Sequence, residues 1–444
     1  MPYKRSIFNV EIDRTEEDKI LLYNTYSGTF GIMDKETQEI YYALDGIKEV
    51  LLDNGEMEQN FQVMIKYGYV VDSEMDELAR FKLERLNMSV RNNVLNLTIA
   101  PTMACNMRCP YCYEDKNGKV MTEETKGELI CFVEARLVAD AGIRTLSVNW
   151  YGGEPLLQKR IIYDLSEEFI QISQKYKVNY DASIITNGVL LDRETAKKLH
   201  DECSVNRVQI TIDGMPEIHN KRRIFANGGG SFDIIINNIQ QCRDFFDIYV
   251  RMNVDRFNEQ DVKNFLKFSV EELKWDDNPQ IYIAPVDNYT ERCTHSSTAC
   301  FAHSEFAQIA NNFQQMNYKI NRDRVKNEFF PHRSVIHCGA EQQNTYVIDP
   351  EGNYYNCWML IGDAERRSGH ISEPFAVTTK YYEWLNSEIP HKCEACEYLP
   401  MCAAGCGYFR IIKKEEPNCT TTFYSYKNTL RLAYKDYIKQ KDKV

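Results

Sequence analysis

Residues 94–112 read VLNLTIAPTMACNMRCPYC: a short apolar run, a proline, then Cys105, Cys109 and Cys112 in quick succession. The run VLNLTIA (94–100) has the length and β-branched content of a strand, and Pro101 ends it. Five more such runs follow downstream: RTLSVNW (144–150), ASIIT (182–186), RVQITI (207–212), DIYVRMNV (247–254) and QIYIAPV (280–286). Helical patterns separate them, for instance over 122–139 and 232–245. Six βα units in succession predict an α/β fold with a parallel sheet and right-handed crossovers, closed or partly closed into a (β/α)6 TIM-like barrel. Chemistry in such folds gathers at the C-terminal ends of the strands. The cysteine triplet follows the first strand there, and Gly152-Gly153-Glu154-Pro155 follows the second. Thr186-Asn187-Gly188 ends the third, Asp213-Gly214 the fourth, and Asn253 the fifth. Polar or glycine-rich motifs at five strand tips would converge on one mouth.

The triplet offers three thiolates without a local fourth. That suits a four-iron cluster with one open iron, while a zinc site completed by a distant residue is the alternative on spacing alone. Tyr111, inside the triplet, reads as core. Gly152, Gly153 and Glu154 put bare backbone beside a carboxylate, fit to take a ligand ammonium or simply to start a helix. The stretch Asn227-Gly228-Gly229-Gly230-Ser231 lacks the lysine of a phosphate loop and reads as a turn with Ser231 capping the next helix. Arg223, in a Lys-Arg-Arg run, reads as solvent-exposed or as a partner for a ligand carboxylate.

Upstream, residues 1–88 carry no cysteine. The segment DKILLYNTYSGTFGIMD reads as a hairpin around Ser27-Gly28, followed by helical stretches over 35–52 and 56–67 and a short strand at 69–71. This is a small α+β unit suited to binding more than to chemistry. Downstream, seven cysteines crowd into 338–419: Cys338, Cys357, Cys393, Cys396, Cys402, Cys406 and Cys419. Four of them within fourteen residues are metal ligands by pattern, zinc knuckles being the alternative for that block alone. The region is loop-rich before a closing helix over 420–439, so metal stapling is expected. The scattered Cys131, Cys203, Cys242, Cys293 and Cys300 read mostly as small buried hydrophobes.

The chain has 444 residues, 53 Lys plus Arg against 65 Asp plus Glu, and a net charge of −12. An excess of acid argues against nucleic acid or an anionic membrane as the main partner. No apolar run approaches a membrane span, and the start lacks the apolar core of a secretion signal, so a cytoplasmic location is expected.

Together these residues resemble the radical S-adenosylmethionine superfamily, and the C-terminal cysteines resemble its SPASM pattern. The resemblance implies a [4Fe-4S] cluster on Cys105, Cys109 and Cys112, with S-adenosylmethionine bound by Tyr111, Gly152, Gly153, Glu154, Asn187, Thr211, Arg223 and Ala284. It implies two auxiliary [4Fe-4S] clusters, one on Cys393, Cys396, Cys402 and Cys419, the other on Cys338, Cys357 and Cys406. The last departs from the pattern: the usual upstream cysteine slot falls near His332, leaving Cys300, Cys293, a histidine or an open site as alternatives. The N-terminal unit resembles the winged-helix-like element by which maturases of ribosomally made peptides take a leader peptide through strand addition. The implied partition is 1–88 for peptide recognition, 89–310 for the barrel and 311–444 for the SPASM domain. The implied activity is that of an oxidoreductase. A 5′-deoxyadenosyl radical would take hydrogen from a precursor peptide and leave a Cys thioether of sactionine or ranthipeptide type. Flavodoxin or ferredoxin would serve as electron donor. A carbon–carbon crosslinking maturase and an anaerobic sulfatase-maturing enzyme are the alternatives. Sulfatase-maturing relatives usually begin near their triplet and carry an Asp base where this chain has Trp358. A zinc-stapled peptide-binding protein is the non-enzymatic alternative.

Overall fold

The computed structural model describes residues 3–15, 18–44, 55–275, 278–287, 297–320, 331–416 and 419–441. The chain forms two compact units, each built from separated stretches. The first unit combines Met1–Ser89 with Ala307–Cys338 and Ser387–Val444; the second combines Val90–Phe306 with Gly339–Asn386.

The first unit opens with β1 (Tyr3–Arg5), β2 (Asn9–Arg14), β3 (Ile20–Asn24), β4 (Thr29–Met33) and β5 (Val70–Asp72). β2, β3 and β4 form an antiparallel sheet with β3 in the centre, and β1 pairs with β5. The expected hairpin joins β3 to β4. Asn24 shapes it: its Oδ1 accepts the backbone N–H of Tyr26 and Ser27, and Gly28 closes the turn at φ +72°. Asp34 caps the following helix, Lys35–Ala43, by accepting the Thr37 N–H; residues 45–52 of that expected helix lie outside the described ones. A second helix spans Gly55–Lys66. One face of the sheet closes on these helices, with Ile20, Leu22, Ile40, Tyr41, Phe61 and Met64 in the core.

The opposite face of the sheet departs from the expected partition. Val10, Ile12, Leu21 and Tyr23 are buried against Tyr398, Tyr426 and Leu430, with Cys396 and Cys402 packed beside them. The cysteine-rich segment therefore shares a core with residues that the sequence assigns to a separate domain. The reason is alternation: β3 is buried on both faces and β2 presents Val10 and Ile12 on one, and the N-terminal helices cover only the face of Ile20 and Leu22. The closing helix, Thr421–Lys441, lies along β2, where Arg431 pairs with Asp13 and donates to the Ile12 carbonyl at 3.1 Å.

The second unit contains β6 (Val94–Ile99), β7 (Thr145–Trp150), β8 (Asn179–Thr186), β9 (Val205–Thr211), β10 (Asp247–Val254) and β11 (Gln280–Pro285). All six are parallel and neighbour one another in chain order, as a partial (β/α)6 barrel requires. The helices between them include Glu123–Ala139, Lys159–Tyr176 and Phe232–Cys242. Three strands that the sequence reading missed extend the sheet: β12 (Thr345–Ile348), β13 (Asn353–Tyr355) and β14 (Gly369–His370). β12 runs parallel to β6, with Thr345 beside Asn96. Residues 339–386 were expected within a loop-rich terminal domain. Instead TYVI, buried at all four positions, covers the β6 edge that an incomplete barrel leaves open.

Burial alternates along the parallel strands. Val148, Ile184, Val208, Ile210, Val250 and Met252 are buried. The intervening positions Ser183, Gln209, Tyr249, Arg251 and Tyr282 are polar and half-buried, and several of them line cavities. The concave face is therefore polar and partly open, unlike the packed apolar interior of a complete barrel.

Candidate active site

The triplet loop leaves the tip of β6 and is pinned on both sides. Thr102 bridges to Val120 and Met107 to Phe225, while the Thr102 hydroxyl donates to the Lys119 carbonyl at 2.7 Å. The next strand tip holds it from below. Gly152, at φ +104°, and Gly153 lie so close to it that a β-carbon would meet the Thr102 or Ala104 carbonyl oxygen at 2.5 or 2.3 Å. That closeness lets the Glu154 N–H reach the Ala104 carbonyl at 2.8 Å. The glycines thus serve the loop's backbone as well as facing the cavity.

The loop faces a cavity of about 320 Å³ at the C-terminal ends of the strands. Cys105, Cys109, Cys112 and Tyr111 line it, with Gly152, Gly153, Glu154, Asn187, Thr211 and Arg223. The strand tips converge as expected. Ala284 is the exception: Pro285 and Val286 reach the cavity and Ala284 does not line it.

Glu154 is 1% exposed and closely held. Its Oε1 accepts the Thr186 hydroxyl at 2.7 Å and the Leu156 N–H at 3.0 Å, and its Oε2 accepts the Asn187 N–H at 2.7 Å. Burial pushes its carboxyl above the usual range against these donors. A carboxylate has about four lone-pair sites. Three are used, leaving one for a ligand N–H. The Asn187 carboxamide donates to Asn106 at 2.7 Å and so ties the third strand tip to the triplet loop.

Arg223 corrects the expectation of solvent exposure. It is 8% exposed, because Arg222 and Arg223 both fold inward over an acidic network. Arg222 pairs with Asp255 at 2.6 Å and with Asp213 at 3.4 Å, and Tyr111 donates its hydroxyl to Asp213. Arg223 donates from Nη1 to the Tyr111 hydroxyl at 3.1 Å, while its buried Nε has no partner. A buried guanidinium donor left open beside a cavity is a place for an anionic group. Tyr111, read as core from spacing, is held by its hydroxyl at the cavity wall. Ser231 does not cap its helix. Asn220 accepts the Ser231 and Phe232 N–H groups instead, and the Ser231 hydroxyl donates to the Arg223 carbonyl at 2.8 Å.

The donor set fits an iron–sulfur cluster. Burial pushes the Cys105 thiol up to about 11 and Cys112 up to about 12, so binding must displace protons from both. In the first unit, Cys393, Cys396, Cys402 and Cys419 act on one another electrostatically, and burial pushes Cys402 up to about 12. Among the described residues no three His, Cys, Asp or Glu side chains converge as one metal ion would need. Cys338 and Cys406 belong to the first unit and Cys357 to the second; Cys338 is exposed, Cys357 half-buried. His332 is exposed and Cys300 half-buried, while Cys293 lies outside the described residues. Cys203 and Cys242 are buried as expected, but Cys131 is exposed on its helix.

The facing wall was largely missed. Tyr113, Glu114, Tyr151, Gln209, Arg251 and Met359 line the cavity, with Trp358. The Trp358 and Tyr151 rings lie 4.9 Å apart, and the Tyr151 and Tyr113 hydroxyls are hydrogen-bonded. Burial pushes the Glu114 carboxyl up to about 8, opposed by a Tyr151 hydrogen bond. The signals were present: Tyr113 and Glu114 directly follow Cys112, and Gln209 and Arg251 are the polar positions of alternating strands.

Residues 99–269 match the Radical SAM superfamily. The cysteine-type anaerobic sulfatase-maturating enzyme of Clostridium novyi (strain NT) is 26% identical over 356 residues, 73% of this chain and 89% of that protein. The solved structure of native anSMEcpe with bound AdoMet is similar at a TM-score of 0.61, with 20% identity, over 79% of this chain and 99% of that one. The structure of Streptococcus suis SuiB bound to precursor peptide SuiA is similar at 0.52, with 16% identity, over 94% of this chain and 98% of that one. At these identities the structural likenesses establish the fold.

Proposed function

We propose, from the premise that this chain carries a radical SAM domain, that it is a peptide maturase installing a crosslink in a ribosomally made precursor, with a Cys thioether as the first choice. The observation that carries the reading is the cavity in which three cysteine thiols face a buried Glu154 and the open Nε of Arg223. Cys105, Cys109 and Cys112 would hold the cluster. Glu154 would take the amino group of S-adenosylmethionine on its remaining lone pair, and Arg223 its carboxylate. Bound together, cluster and S-adenosylmethionine supply a 5′-deoxyadenosyl radical. The chain's own work is to orient the target carbon and exclude water and oxygen, which the pinned loop and the aromatic wall of Tyr113, Tyr151 and Trp358 are placed to do.

The relatives support a polypeptide substrate: one is named for maturing sulfatases, and SuiB is solved with its precursor peptide. The N-terminal sheet supports leader recognition, since β4 is an edge strand while the carbonyls of β2 receive Lys427 and Arg431. A sulfatase-maturing activity is disfavoured by Trp358, an indole at the cavity wall where a carboxylate base is expected. The seven C-terminal cysteines, Cys338, Cys357, Cys393, Cys396, Cys402, Cys406 and Cys419, would hold two auxiliary clusters, whose chemistry when bound is one-electron transfer. Flavodoxin or ferredoxin would supply the reducing electron. We place the protein in the cytoplasm and assign it no nucleic-acid or membrane partner. Among the described residues no helix is long and apolar enough to cross a membrane.

Coexpression with a short cysteine-containing reading frame from the same locus tests the reading. A peptide lighter by two hydrogens per linkage, with cysteines blocked to alkylation, is expected. Alkylatable cysteines at the same mass loss favour a carbon–carbon linkage. A colourless, zinc-loaded protein after anaerobic purification rejects the enzyme altogether.

A further inference from the structure

We propose that the concave interior of the barrel is a second binding site, which takes a neutral amide group of the peptide substrate on the carboxamide of Asn149. The inference deepens the maturase reading and rests on its peptide substrate.

Beneath the reaction cavity lies another of about 310 Å³, lined mainly by the inward positions of β7 to β11, with Ile184 and Val208 between them. Ile185 and Gln209 line both, so the two spaces share a wall. The parallel register sets Asn149 beside Ser183 and Ile185 beside Gln209, stacking their side chains as successive rungs. Asn149 is 9% exposed. Its Oδ1 accepts the Ser183 hydroxyl at 2.9 Å, but its Nδ2 is buried with no hydrogen-bond partner. A buried donor left open is costly and asks for an acceptor.

The rest of the lining says which acceptor. Gln209 already accepts the Tyr282 hydroxyl on Oε1 at 2.6 Å, and Arg207 is paired with Asp181. The charge in the lining is answered, so a carboxylate would enter without a cation, whereas an amide carbonyl meets Asn149 without burying charge. The polar groups also offer an amide N–H its own acceptors. An apolar side chain would leave the Asn149 donor open. The amide belongs either to an Asn or Gln side chain or to the peptide backbone.

Saturation-transfer NMR on the intact, anaerobically prepared protein tests the site with N-acetylglutaminamide, N-acetylalaninamide and N-acetylglutamate α-amide as probes. The glutaminamide is expected to show a signal that falls at least five-fold in Asn149→Leu, in the shape-preserving Asn149→Asp and in the space-filling Ser183→Leu. S-adenosylmethionine binding stays unchanged in all three. An equal signal from the alaninamide supports the backbone source, and a weaker one the side-chain source. No signal from either amide, an equal signal from the glutamate probe, or signals unchanged in all variants overturns the site and leaves the space to water. The binding readout needs no peptide chemistry. Amide binding without any peptide modification therefore overturns the maturase reading and not the site.

Discussion

The backbone of Gly153 passes so close to Ala104 that a β-carbon built on it would lie 2.3 Å from the Ala104 carbonyl oxygen, with the Met103 carbonyl at 2.5 Å. Neither obstacle is a flexible side-chain end, so Gly153→Ala must push the triplet loop away from β7. Iron bound by Cys105, Cys109 and Cys112 should fall several-fold while iron on the C-terminal cysteines stays. Gly127→Ala is the control: it sits exposed inside Glu123–Ala139 with nothing near its would-be β-carbon, and should stabilise by about 0.5–1 kcal/mol. Iron analysis and thermal melting separate the two, and normal triplet iron in Gly153→Ala would contradict the packing argument.

Arg223 offers a sharper test of cofactor binding. Arg223→Gln removes the open Nε and the donor to Tyr111 but leaves Arg222 on Asp213 and Asp255. Hydrogen bonds to charged groups contribute about 1.5–3 kcal/mol, so affinity for S-adenosylmethionine should drop roughly ten- to hundred-fold. Iron content should not change. Calorimetric titration of the anaerobic protein gives the answer, and unaltered affinity would remove Arg223 from the site.

The two cysteine groups should separate chemically. Replacing Cys105, Cys109 and Cys112 with Ala should abolish deoxyadenosine formation and keep the auxiliary iron. Cys402→Ala should do the reverse, and it should also melt earlier, because Cys402 packs on the core of Val10, Leu21 and Tyr398. Deoxyadenosine produced by the triple variant would falsify the assignment of the triplet.

The barrel was legible because its strands are short, β-branched and regularly spaced, and because chemistry-bearing residues sit at their tips. Each of the six expected strands lies within a few residues of its observed place. What was not legible depends on long-range packing. TYVI at 345–348 is too short to declare itself before the β6 edge is there to receive it. The shared core of β2, β3 and Tyr398 joins residues nearly four hundred positions apart, which no local pattern reports. In the site, Arg223 looked exposed from its basic neighbours; only the fold brings Asp213, Asp255 and Tyr111 to it and its partner arginine. Glu154 and Asn187 were found through their motifs, but the hydrogen bond that joins them was not.

That shared core also decides how leader recognition should be tested. Removing residues 1–88 would strip Tyr23 and Val10 from Tyr398 and Leu430, and so disturb Cys396 and Cys402 along with any peptide site. A surface change on β4 avoids this. Ile32 is 40% exposed on the edge strand, and Ile32→Asp leaves the core facing β3 intact. If the leader adds to this edge, the aspartate should weaken precursor binding about ten-fold through lost apolar contact and a desolvated charge, while uncoupled deoxyadenosine formation stays within two-fold. Fluorescence anisotropy of the labelled precursor and chromatography of deoxyadenosine measure the two quantities on one preparation. Equal loss of both, or undiminished precursor binding, would count against recognition at β4.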